Sequence, residues 1–129
     1  MNIISRNMDK KLRGRWGEEK AAEYLRKKKY EIVGMNYACR FGEIDIIAAD
    51  RRYIVFVEVK LRKNADFACA REFVTEAKQR RIIAAAQMWL AYNAADRQPR
   101  FDVIEIYTGE SSRGDITINH IQNAFEVNV

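Results

Sequence analysis

One histidine, one proline and two cysteines are all that 129 residues contain of the types that most often announce a metal cage, a rigid turn or a covalent catalyst. The lone His120 argues against a histidine-rich zinc centre, and it leaves any Ser–His–Asp or Cys–His pair dependent on chance proximity in the fold. Cys39 and Cys69 form no C-x-x-C pair, so free reduced thiols are expected rather than a disulfide. No apolar run approaches the roughly 20 residues of a membrane helix. Residues 1–9 also lack the apolar stretch of a signal peptide. A cytoplasmic protein with no membrane partner is therefore expected. Repeats, low-complexity tracts and internal boundaries are absent too. The expectation is one domain over residues 1–129, with 1–9 as a loose tail.

What is present describes a globular chain: 48% of residues are apolar and 32% charged. The charge is uneven. Residues 1–30 carry ten Lys or Arg against four Asp or Glu, whereas the remainder carries thirteen against fourteen. A basic end is an electrostatic footprint for a polyanion such as nucleic acid, or simply a solvated helix face.

Periodicity predicts a helix from about Lys10 to Lys29. Gly17, Ala21, Tyr24, Leu25 and Lys28 fall on one arc, opposite Arg13, Lys20, Glu23, Arg26 and Lys27. Glu18 projects to the edge of the apolar arc beside Ala21, Ala22 and Leu25, while Glu19 points to solvent. Glu31–Tyr37 predicts a strand with a bulge at Gly34. Gly42–Ala49 and Tyr53–Lys60 predict a hairpin about the turn Asp50-Arg51-Arg52. Residues 61–72 predict a loop, and a second helix runs from about Thr75 to Asn93. Its apolar arc holds Ile82, Ile83, Ala86, Trp89 and Leu90, with Gln79 in the middle. Residues 94–100, containing Pro99, predict a linker. Strands are expected at Phe101–Tyr107 and Asp115–Ile121, joined by a turn at 108–114. The order implies an α/β fold, a mixed sheet of about five strands flanked by helices.

The hairpin carries the chemistry. Side chains alternate along a strand, so Glu58 and Lys60 share one face, and Asp45 on the neighbouring strand can approach both. Charged groups at the end of so apolar a strand need a partner or a purpose. Asp45 and Glu58, with a main-chain carbonyl near Val59, are the oxygen ligands that Mg2+ or Mn2+ takes when it activates water against a phosphodiester. Lys60 is placed to orient that water or balance charge on the phosphate. Glu18 is a further ligand or the partner of Lys60, and Glu43 a rival or supplementary ligand. Gln79 fixes a carboxylate, touches a nucleic-acid backbone or bridges a loop. Arg13, Arg15 and Lys20 on the basic helix are candidate phosphate contacts. Trp16 and Trp89 are expected to pack rather than stack on bases. The plain alternative is that Glu58 and Lys60 form an ordinary ion pair.

Gly14-Arg15-Trp16-Gly17-Glu18, Gly42-Glu43-Ile44-Asp45, Phe56-Val57-Glu58-Val59-Lys60, Lys78-Gln79 and Arg100-Phe101-Asp102-Val103 together resemble the YraN family of bacterial proteins, across roughly residues 12–107. That family resembles the PD-(D/E)xK nucleases and, within them, the archaeal Holliday junction resolvases. The resemblance implies a restriction-endonuclease-like core, with Asp45, Glu58 and Lys60 at the catalytic positions and Glu18 matching the first-helix glutamate of the resolvases. Ile44 stands where the superfamily motif has its proline. The function expected is a Mg2+- or Mn2+-dependent endonuclease on DNA, branched or damaged, in repair or recombination, with a homodimer as the plausible assembly. A catalytically silent nucleic-acid-binding module and a scaffold protein are the rival readings.

Overall fold

A computed structural model describes residues 10–63, 74–94, 96–109 and 115–127. The expected tail at 1–9, most of the 61–72 loop with Cys69, and most of the 108–114 turn lie outside them. Helix α1 (Lys10–Lys27) is followed by β1 (Glu31–Cys39), β2 (Gly42–Ala49) and β3 (Tyr53–Arg62). Helix α2 (Glu76–Tyr92) then leads to β4 (Gln98–Tyr107) and β5 (Thr117–Phe125).

The strands form one sheet in the order β1-β2-β3-β4-β5. Only the β3–β4 pair is parallel, because α2 intervenes and returns the chain in the same direction. The helices cover opposite faces. On one, Ala21, Ala22 and Leu25 of α1 pack on Ile46, Ala48, Val55, Val57, Ile104 and Ile106. On the other, Ile82, Ala85 and Ala86 of α2 pack on Ile44, Ile47, Ile54, Phe56, Phe101 and Val103. With both faces covered, residues 54–58 of β3 are all buried, as a central strand between two layers requires.

Several boundaries differ from the periodicity reading, each for a local reason. Helix α1 ends at Lys27, before Lys28 and Lys29. Lys29 adopts φ 74°, and the Tyr30 amide bonds back to the Leu25 carbonyl at 3.0 Å, a Schellman closure made with lysine in place of glycine. Thr75 caps α2, its hydroxyl accepting from the Lys78 amide at 3.1 Å. The bulge that Gly34 allows is present, since Ile32 pairs with Ala48 and Gly34 with Ile47, leaving Val33 between them unpaired. Strand β3 continues into the expected loop because Leu61 and Arg62 find partners in Ile106 and Tyr107. Strand β4 begins inside the expected linker, with Pro99 opposite Ile54. Pro99 is tolerated there because β5 reaches only Phe101, so one side of the strand has no neighbour to miss its N–H. Strand β5 likewise runs past Ile121 to Phe125. Among the described residues, no helix is long and apolar enough to cross a membrane.

Candidate active site

The β2–β3 ladder stops at the pair Ile46–Val57, although β2 continues to Gly42 along β1 and β3 continues to Arg62 along β4. The sheet therefore forks. Asp45 and Glu58 are the next residues beyond that pair, at the base of the fork, with Glu58 on the side of Lys78 of α2. There the Asp45 carboxylate takes the place of the missing strand partner, its Oδ2 accepting from the Val59 amide at 2.8 Å. The N–H and C=O of one strand residue project to the same side, so the Val59 carbonyl also faces the fork.

Glu58 is 6% exposed and carries two ammonium groups on its Oε2, from Lys60 at 3.5 Å and Lys78 at 3.8 Å. Burial, and then the negative charge and hydrogen bond of Glu58, push the Asp45 carboxyl up to about 7, against the opposing pull of the Val59 amide and Lys78. Two carboxylates held this close in a half-buried fork repel each other, and a shared proton or cation relieves the strain.

The remaining expected residues divide. Glu18 arrives from α1, which approaches the fork closely at Gly17: a methyl placed there would lie 3.8 Å from Val59 and 3.9 Å from Leu61. Burial raises the Glu18 carboxyl and so do Asp45 and Glu43, while a hydrogen bond with Asn36 and the charge of Arg15 lower it. Glu18 thus belongs to the same electrostatic cluster. Asn36, at φ 54° in β1, is the residue that anchors it, and periodicity gives no sign of that role. Glu43 is exposed. Among the described residues, no group of three or more His, Cys, Asp or Glu is arranged to hold a metal ion. Asp45 and Glu58 form the close acid pair of the fork, and Glu18 lies within electrostatic reach of Asp45 and Glu43.

Gln79 takes the bridging role, its Nε2 donating to the Val74 carbonyl at 2.8 Å. Lys78, beside it, is a site residue the sequence reading passed over. It stands one helical turn before the buried Ile82, which was the available signal. Helix α2 can lie this close because Gly42 faces it, where a Cβ would come within 3.2 Å of Arg81. Of the expected phosphate contacts, Arg15 is exposed, Lys20 is partly engaged with Glu23 at 3.8 Å, and the Arg13 Nε is buried without a bond. Trp16 and Trp89 both pack against the core, as expected.

A second polar cluster lies on the α1 face. Asp102 is fully buried, accepting from Arg100 at 2.8 and 2.9 Å, from His120 at 2.7 Å and from the Asn123 amide at 3.0 Å. The other His120 nitrogen meets the Tyr24 hydroxyl at 3.1 Å, so both ring nitrogens have a partner. The single histidine is thus part of a structural pin. Cys39 is a free, half-buried thiol.

A family model described as "Uncharacterised protein family UPF0102" matches residues 17–106, which include every acid and lysine of the fork. A UPF0102 protein of Caldanaerobacter subterraneus subsp. tengcongensis is 44% identical over 121 residues, covering 93% of this chain and 99% of the relative. One from Syntrophotalea carbinolica is 45% identical, covering 88% and 91% respectively. One from Caldicellulosiruptor saccharolyticus is 42% identical, covering 92% and 100%.

Proposed function

The chain belongs to the UPF0102 family, the family its sequence motifs resemble, and we propose that it is a divalent-metal-dependent endonuclease acting on DNA. One observation carries the reading: a buried and a half-buried carboxylate held together at a strand fork, with Lys60 beside them. Asp45, Glu58 and the Val59 carbonyl supply the hard oxygens that Mg2+ or Mn2+ takes, and an ion of this kind keeps several waters and accepts phosphate oxygens as further ligands. When bound, it activates water and offsets charge on the phosphate. Lys60 holds a positive charge where the phosphate oxygens gather. Lys78 neutralises the second charge of the pair, and the Val59 amide fixes the Asp45 carboxylate in one orientation. Arg15 and the basic side of α1 supply salt-sensitive attraction for the DNA backbone.

The direct test incubates the protein with Mg2+, Mn2+ or chelator on duplex, single-stranded, flapped and four-way-junction DNA, and on RNA. Cleavage of at least one DNA form, abolished by chelator, is expected. Cleavage of no DNA form overturns the reading. Retained binding would then favour a silent nucleic-acid-binding module, and lost binding at low salt a scaffold.

Cation binding is also expected to register without any substrate. Asp45 holds a proton below about pH 7, and a metal must displace it. Mn2+ at a hundred times its dissociation constant should stabilise the fold by about 2.7 kcal/mol at pH 8. The same concentration should have little effect at pH 5. Equal thermal shifts at both pH values would place the ion elsewhere.

A further inference from the structure

Beside the fork lies a cavity of about 210 Å3, lined on one wall by Lys60 and Gln79 and on another by Val103, Ile121, Ala124 and Phe125. The endonuclease reading leaves it without a use. Its size is below the roughly 300–1,000 Å3 of pockets for whole small molecules and suits a single planar ring system. The charged groups of its lining are paired, Lys60 with Glu58 at 3.5 Å on the fork side and Arg62 with Glu105 at 2.8 Å. Glu105 in the wall accepts from Arg62 and from Asn119, each at 2.8 Å, and the Gln79 amide is bonded to Val74. Apolar contact therefore dominates, and the cavity suits a neutral flat group rather than a phosphate or a cation.

Phe125 is the outer member of an aromatic stack. It lies over Phe101 at 5.2 Å and 23°, and Phe101 over Phe56 at 5.5 Å and 27°. Lys60 belongs both to the fork and to the cavity wall. A strand whose phosphate sits at the fork thus brings a neighbouring base to the cavity mouth.

We infer that this cavity receives one unstacked nucleobase adjacent to the scissile phosphate, so that the substrate is DNA with an unpaired nucleotide at the cut. The inference rests on the endonuclease reading and refines it. A base inside a duplex is stacked and paired, and it reaches such a pocket only after leaving the helix, which costs least where it is already unpaired. Stacking beside an aromatic side chain is tolerant of base identity, so preference for structure rather than sequence follows.

The test uses three duplexes of one sequence: fully paired, with a single-nucleotide bulge, and with the bulged nucleotide lacking its base. Binding is measured in chelator and cleavage in Mg2+ or Mn2+. Wild-type protein should prefer the base-bearing bulge over the baseless one by about tenfold or more. Ala124→Trp, which fills the cavity without touching the fork, should reduce that preference to near unity while keeping its thermal midpoint. Equal binding of base-bearing and baseless bulges by the wild type overturns the inference, whatever the variant does. Equal cutting of all three duplexes removes the pocket's role and leaves the nuclease standing. Base preference with no cutting leaves the pocket standing and removes the nuclease. Neither binding nor cutting removes both.

Discussion

Replacing Asp45 with asparagine is expected to abolish metal-dependent cleavage, by at least about a thousandfold, and at the same time to make the protein more stable above pH 7. The two effects have one cause. The carboxyl titrates near 7 in the fold because it is half-buried beside Glu58, whereas in the unfolded chain it titrates in the ordinary range near 3.8. Between those values the folded state holds a proton that the unfolded state has released. Stability therefore falls as pH rises through the window, and the full penalty is present above 7. At about 1.4 kcal/mol per unit the penalty is on the order of 4 kcal/mol. Asparagine keeps an oxygen for the Val59 amide and offers Glu58 an N–H, so it removes the repulsion and preserves the bonds. The thermal midpoint should rise by several degrees at pH 8 and not at pH 4. Glu58→Gln should lose activity to a similar extent with less gain in stability, because Lys60 and Lys78 lose their common partner. DNA binding by both variants should be retained or improved, since each removes a negative charge from a phosphate site. Undiminished cleavage by Asp45→Asn would remove Asp45 from the catalytic centre.

The approach of Asp45 to Glu58 was legible because its information is local, whereas the hairpin pattern gave no sign that the strands part beyond Ile46 and Val57. Alternation in β3 puts Glu58 and Lys60 on one face, and the short turn at Asp50 sets the register that brings Asp45 opposite Glu58. That turn is reinforced by the Asp50 carboxylate, which accepts from the Arg52 and Tyr53 amides at 2.9 and 2.8 Å. Helical projection likewise separated Glu18 from Glu19. The features that were not legible depend on partners distant in sequence. The start of β4 at Gln98 and the continuation of β3 to Arg62 are decided by each strand's neighbour, not by its own pattern. Lys78 meets Glu58 only because Gly42 lets α2 approach β2. Asp102 reads as one polar position in an alternating strand. Nothing near it in the chain shows that Tyr24, 96 residues from His120, closes the network around it.

That network carries the largest expected effect on folding: Asp102→Ala should destabilise the protein by about 3–5 kcal/mol. Burial alone would raise the Asp102 carboxyl. The hydrogen bonds from His120 and Arg100, and then the Asn123 amide, outweigh it and hold the group below its usual range. A depressed acid contributes stability that is complete above its unfolded pKa near 3.8 and is lost as pH falls through the lower folded value. Removing the carboxylate does more than cancel that gain. Among the described residues it leaves the Arg100 guanidinium, 8% exposed, with the Tyr30 hydroxyl at 2.7 Å and the faces of Tyr53 and Tyr30, and it removes the carboxylate that His120 bonds. For a chain of this length the loss corresponds to a fall of roughly 10–20 °C in the thermal midpoint. Asp102→Asn, which keeps the shape and one acceptor oxygen, should cost less, and Arg100→Ala should show strong coupling to Asp102→Ala in a double-mutant cycle. The Asp102 carboxylate bonds Arg100, His120 and Asn123 and none of the fork's acids or lysines, so cleavage per folded molecule should stay near wild type below the lowered midpoint. A variant that folds normally but no longer cuts would instead make this pin part of the catalytic apparatus.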